Sequence, residues 1–300
     1  MRFFREERGA VLVLVAAALV ALLGFGALTI DVGLLFLNRE RLANAADAAA
    51  LAGVQFLPDY PDTAVATARH YVYANGVPES EANIEVGPDG KTITVTATRQ
   101  VSFFLAPVLG FANTGVSAQA KARVGGVEAV WGAAPLGIPE QTIEFGELYT
   151  LKVGGGAGER GNFGALALGG QGASNYEDNL RNGCQAWLKI GDVIETEPGN
   201  MSGPTQRAVE DRISGHESCT FDNCCPNCPR LIYVPVYRDL GEKGGRHEVE
   251  VVGFAAFFLE GVTGQGNESE VKGYFVEKLT SAARGMSEND WGLRTAKLIE

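Results

Sequence analysis

The sequence predicts an α+β chain: a membrane-spanning N-terminal helix, a small α+β region, and a β-rich C-terminal domain. Three patterns carry this. Gly9 to Ile30 are 22 consecutive residues without a charge. A period-two alternation runs through Thr92-Ile93-Thr94-Val95-Thr96-Ala97-Thr98. From about residue 126 onward, short apolar segments of strand length are divided by clusters of Gly, Asn, Asp and Pro, the punctuation of a β-rich domain with long loops.

A helix rising about 1.5 Å per residue covers roughly 33 Å over those first 22 positions, enough for the hydrocarbon core of a bilayer. A buried helix of a soluble core is usually interrupted by a polar residue sooner, and a cleaved secretory signal has a shorter apolar stretch. Arg2, Arg5 and Arg8 precede the run, Asp31 opens its far side, and Arg39 and Arg41 follow. The expected topology is a single pass in the cell membrane. Residues 1–9 are then cytoplasmic and the C-terminal bulk is extracytoplasmic, beyond about residue 38.

Beyond the apolar run the helical register continues through Asp31, Gly33, Phe36, Arg39 and Leu42 into Ala45-Ala46-Asp47-Ala48-Ala49-Ala50-Leu51-Ala52-Gly53. This series closely resembles the N-terminal signature of TadE/TadG-like proteins of the tight-adherence (Flp) pilus apparatus. The resemblance covers about the first fifth of the chain. It implies a single-pass, pilus-associated envelope protein, a minor or pseudopilin-like subunit. Type IV-like prepilins are cut after a Gly and carry Glu five residues into the mature chain. Here the fifth residue after Gly9 is Leu14, so an uncut anchor is expected.

Ala45, Ala49 and Gly53 fall four apart on one helical face, where another helix backbone can approach closely. The alternative is a stalk rich in the best helix former. With Asp31 and Gly33, these residues form the expected helix-packing set toward other pilus-assembly subunits. Asp31 at the membrane boundary is a site candidate in its own right, as an ionisable residue there ordinarily is.

Residues 10–56 are thus read as anchor and alanine-rich stalk, 57–125 as a pilin-like α+β region and 126–300 as the exported β-rich domain. Within the second, Val65, Ala68, Tyr71 and Val72 sit at helical spacing before the stop Asn75-Gly76. A hairpin follows, with Ile93, Val95 and Ala97 facing inward. Val101 to Phe111 is apolar but too short and Pro-broken to span; it reads as a lid on the hairpin core, with a membrane-resting loop as the alternative. Val116 to Val124 supplies a third strand. In the last part, strands are expected at 147–153, 165–168, 187–190, 231–237, 248–258 and 271–276. Helices are expected at 176–182 and 203–213, the second capped by Ser202.

Composition narrows the function. A formal net charge of −11 argues against a nucleic-acid partner, since phosphate binding needs a clustered positive face. Gly156-Ala157-Gly158-Glu159-Arg160-Gly161 matches G-x-G-x-x-G but lacks a following helix for a pyrophosphate, so a turn is expected. The five cysteines, Cys184, Cys219, Cys224, Cys225 and Cys228, are disulfide candidates in an oxidising compartment. Being odd in number, they leave one sulfur over or pairing between subunits. Cys219, Cys224, Cys225 and Cys228 are alternatively zinc ligands, with His216 as a further ligand candidate. Cys184 or Ser202 with His216 or His247 would be needed for a thiol or serine enzyme, yet no local motif orients them. His70 reads as a surface or packed residue. Asp192, Glu195 and Glu197 lack the spacing of a calcium loop.

The expectation is a non-enzymatic, membrane-anchored component of a tight-adherence pilus system without a cofactor. Its partners are membrane lipid and other pilus subunits, with a homo-oligomer as one outcome. A tethered hydrolase or thiol enzyme and a metal-binding receptor domain are the alternatives.

Overall fold

A computed structural model describes residues 8–152, 164–197, 201–225, 227–243, 246–264 and 266–299. The chain is α+β and divides into two compact units, Met1–Arg123 with Lys297–Glu300, and Val124–Ala296.

The first unit is built on one helix, α1 (Arg8–Gly53). Its first half is exposed along its described residues: Val11, Leu12, Leu19, Leu22, Phe25 and Leu28 all lie open, and the helix is long and apolar enough to cross a membrane once. Its second half is amphipathic by a different logic. Leu42, Ala45, Ala46, Ala49, Ala50 and Gly53 are buried, a stripe at i, i+3, i+4, i+7. The stripe is covered from within the chain by α2 (Pro61–Ala74) and by β2 (Thr92–Ser102), whose hairpin partner β1 (Ala82–Val86) packs on α2 and whose other edge pairs with β3 (Asn113–Trp131).

α2 offers Ala64, Ala68 and Val72 to this interface, while Tyr71 is exposed, so its buried face lies slightly to one side of the expected one. β2 offers Ile93, Val95 and Ala97, all fully buried as the alternation predicted. Small residues on both helices let the backbones approach closely. At Gly53 an added Cβ would lie 2.8 Å from the Ala64 carbonyl oxygen, 2.8 Å from Ile93 Cδ1 and 3.0 Å from Ala68 Cβ.

In the second unit the central element is β9 (Arg246–Thr263), paired with β8 (Leu231–Lys243) and β10 (Glu270–Val276). β4 (Ile138–Pro139), β5 (Leu148–Lys152) and β7 (Val193–Glu195) complete a six-stranded sheet in which β4-β8-β9-β10-β5 is the main order. Both faces of β9 are buried, which explains its unbroken apolar run. Ala255, Phe257 and Leu259 meet Tyr176, Leu180, Ala208 and Val209 of α3 (Ala173–Asn182) and α4 (Ser202–Ile213). Phe254 and Ala256 face the other way, toward Val127, Val130, Leu168 and Ile194. Short strands β6 (Trp187–Lys189) and β12 (Ala283–Ser287) pair with the second half of β3, and β11 (Lys278–Leu279) runs parallel to β13 (Leu293–Ile299).

Two details depart from expectation. Residues 165–168 form isolated bridges, Leu136 to Ala165 and Leu166 to Thr196, rather than a strand. Ser202 is the first residue of α4 and not its cap, which is Met201. The glycine loop at 156–161 lies outside the described residues.

α3 and α4 are joined at their surfaces by Glu177, whose carboxylate accepts from both Nε and Nη2 of Arg207 and from Arg181 Nη2 at 2.9 Å, while Arg181 also reaches Asp211. Arg207 first, then Arg181, holds the Glu177 carboxyl below its ordinary 4.5. A lowered folded pKa gives stability that is full above the ordinary value and is lost as pH falls through the lowered one. Melting temperature followed from pH 7 to pH 3 should therefore show an acid limb that Glu177→Gln flattens.

Gly53→Ala gains at most about 1 kcal/mol of helix propensity against roughly 1–3 kcal/mol of overpacking at a rigid backbone contact. The net expectation is a lower melting temperature for the detergent-solubilised chain, and Ala49→Leu should be worse.

Candidate functional site

Where α1 leaves its unpartnered half, Asp31 is only 3% exposed. Its carboxylate accepts three consecutive backbone N–H groups from a segment more than 70 residues away: Phe104 at 2.6 Å, Leu105 at 3.1 Å and Ala106 at 2.7 Å. These amides open the short 3-10 turn Ala106–Leu109, so Asp31 acts as a helix cap supplied from another element, satisfying donors that have no partner of their own. The clamp fixes the loop to the helix, and Phe104 (71% exposed) and Phe111 (65%) project outward beside it. These two rings do not lie over the hairpin core. Among the described side chains of this segment Val101 is buried and Phe103, Leu105 and Ala106 are half-buried.

The expected helix-packing residues divide in two. Ala45, Ala49 and Gly53 are spent inside the first unit. At Gly33, by contrast, an added Cβ would meet nothing within 4 Å, and Val32, Phe36 (69% exposed) and Leu37 lie open.

A second constellation lies in the connection from α4 to β8. All five cysteines are free thiols. Ligand atoms of His216, Cys219, Cys225 and Cys228 lie within 4.8 Å of one another. Cys219 Sγ is 3.8 Å from Cys225 Sγ, and Cys225 Sγ is 3.6 Å from His216 Nδ1. Two tight turns present these residues. The Cys219 N–H donates to the His216 carbonyl, and the Cys228 N–H to the Cys225 carbonyl. Within the second turn Asn227 holds φ at 56°, the one non-glycine residue with positive φ among those described, a conformation Asn tolerates better than most.

The cluster is held from beneath by Arg230, 4% exposed. Its Nη1 donates to the carbonyls of His216 (3.1 Å) and Cys219 (2.8 Å), and its Nε to Leu259 on β9 (2.9 Å). Its guanidinium also lies 4.5 Å from the Phe258 ring centroid. Arg212, which burial lowers to about 10, binds the Leu180 and Pro229 carbonyls and ties the same loop to α3. The thiols differ sharply. The Cys225 backbone N–H, followed by the His216 side chain, brings Cys219 down to about 7, whereas burial pushes Cys228 up to about 11.

One comparison with known families concerns α1. Residues 9–55 match the family model described as putative Flp pilus-assembly TadE/G-like. No curated protein and no solved structure matches the chain. The Tad segment thus coincides with α1, from the exposed apolar half through Asp31 to the buried alanine stripe.

Outside the Tad segment the remaining candidates do not converge. Cys184 is buried with Leu168, Phe254 and Val249, and burial raises its thiol. Cys224 stands outside the four-ligand group. His216 faces Cys225, and His247 faces Asp239 at 3.5 Å. Ser202 accepts from the Gly266 N–H. The three acids are engaged in local structure: Glu197 receives the Gly172 N–H before α3, Glu195 the Gln171 amide, and Asp192 the Lys189 N–H. His70 is exposed, edge-on to Tyr71. Arg230 and Arg212 escape sequence reasoning because single arginines carry no spacing signal. The Asp31 clamp escapes it because its partners are backbone amides.

Asp31→Ala leaves three amides without their acceptor, a loss of about 1–3 kcal/mol. Hydrogen exchange should show accelerated exchange at residues 104–106 and earlier proteolysis of the 103–112 loop, with the rest of the first unit little changed.

Proposed function

We propose that this protein is a non-enzymatic, single-pass component of a tight-adherence (Flp-type) pilus assembly or secretion system, minor or pseudopilin-like. Its β-rich domain is presented outside the membrane. The observation that carries this reading is the match of the Tad segment to a helix whose described apolar half is exposed. Lipid is the solvent such a half requires, since hydrocarbon satisfies the side chains and the helix satisfies its own backbone.

Asp31 then marks the outer boundary. Phe104 and Phe111, clamped at that height, rest in the interfacial layer where aromatic rings are favoured. Because the alanine stripe is occupied from within, lateral packing on other subunits uses the opposite face, with Gly33, Phe36 and Leu37.

A photo-crosslinking residue placed at Phe36 or Leu37 should capture other pilus-assembly subunits in the native host, while one at Ala45 should not. Protease added outside the inner membrane should digest the C-terminal bulk. Recovery of the full-length chain from the cytosol, or unchanged pilus formation when the protein is deleted, would defeat the proposal.

A further inference from the structure

The geometry points to a structural zinc site formed by His216, Cys219, Cys225 and Cys228, independent of the pilus role. Four observations support it. The first is distance. Four ligands on zinc, with metal–sulfur bonds of about 2.3 Å and a metal–nitrogen bond of about 2.0 Å, stand at the corners of a tetrahedron whose edges are roughly 3.5–3.8 Å. The Cys219–Cys225 and Cys225–His216 separations of 3.8 and 3.6 Å are edges of that size. A disulfide would instead bring two sulfurs to about 2.0 Å.

The second is the pair of turns. H-x2-C and C-x2-C each close through an N–H···O=C bond from the fourth residue to the first, so each turn directs two side chains to the same point. C-x2-C is a recurrent zinc-binding spacing, and here the second pair comes from the adjacent turn rather than from a distant segment. The third is selection. Five cysteines are available, yet the group takes three with the one histidine of the loop and leaves out Cys224, next in sequence to a ligand, and Cys184.

The fourth is charge. Three thiolates and a neutral imidazole on a divalent ion leave one net negative charge. The buried guanidinium of Arg230, bonded to the carbonyls of two of the ligand residues and shared with Glu260 at 3.2 Å, lies beside that charge and fixes the ligand backbone as partners behind a metal site do.

A closed four-ligand set leaves no open position for water, so the role is structural rather than catalytic. The metal fastens a connection in which, among residues 214–229, few side chains are buried. Borderline-soft zinc suits three thiolates, which exclude calcium and magnesium. Each thiol gives up its proton to bulk solvent on binding, with no change in oxidation state.

The test uses the full chain in detergent, purified under anaerobic conditions without chelator. Elemental analysis should find about one zinc per chain. Cobalt exchanged into the site should give tetrahedral d–d bands and a thiolate charge-transfer band. Cys225→Ser should lose most of the zinc, Cys224→Ser should retain it, and His216→Cys should retain it as a four-thiolate site. Chelation should open residues 214–229 to protease, and added zinc, but not magnesium, should close them again.

Zinc-free protein carrying a disulfide among Cys219, Cys225 and Cys228 would overturn the assignment. Free thiols that take up no cobalt would do the same, as would an equal loss of zinc in Cys224→Ser. If Cys225→Ser does not fold, the cobalt spectrum of the unmodified chain decides. None of these outcomes bears on membrane insertion or pilus partners.

Discussion

A single carboxylate marks the place where the exposed apolar half of α1 gives way to its packed half. Below Asp31 the described side chains of α1 are exposed, Ala27 alone among them being half-buried. Above it, half the helix circumference is committed to α2 and the hairpin. A buried charge at such a junction is costly unless every lone pair is used. Three consecutive amides use this one. The same contact supplies the loop with a cap that its own sequence lacks, so anchor and loop each remove the other's unsatisfied group. The remainder of the first unit is assembled on the helix that this contact orients.

Much of this architecture was legible in the sequence because it rests on period and length. The 22-residue apolar run, the threonine-alternating strand and the continuous apolar stretch of β9 each reflect one environment that repeats along the element: lipid, one buried face, or two. The ends of the chain's second unit were less legible. Ala283–Ser287 and Leu293–Ile299 alternate weakly and are defined by their pairing with distant strands. The loop from Val101 to Phe111 shows the converse limit. Apolar composition states that water is unfavourable but not whether protein or lipid replaces it.

The alanine block carried a similar ambiguity. Small residues four apart announce that a backbone approaches closely, and the sequence cannot say whose. The answer lies in Ala64, Ala68 and Val72 on α2 and in Ile93 on β2. Among the thiols, composition suggested four cysteines acting together, whereas the fold substitutes His216 for Cys224. The signal was present as two consecutive x2 spacings. It was masked by the Cys224-Cys225 pair, which makes a count of sulfurs look more informative than their phase along the chain.

The clamp has a mechanical corollary. A helix joined to its domain through one flexible linker can spin about its long axis without turning what it carries. In this chain α1 runs unbroken from Arg8 to Gly53, is packed along its upper half and is pinned again at Asp31, so in the proposed membrane setting a turn of the rod would carry the hairpin with it. Copies arranged by their membrane rods would therefore be keyed in azimuth as well as in position. A neighbour in an array would meet the same surface of the first unit at each step.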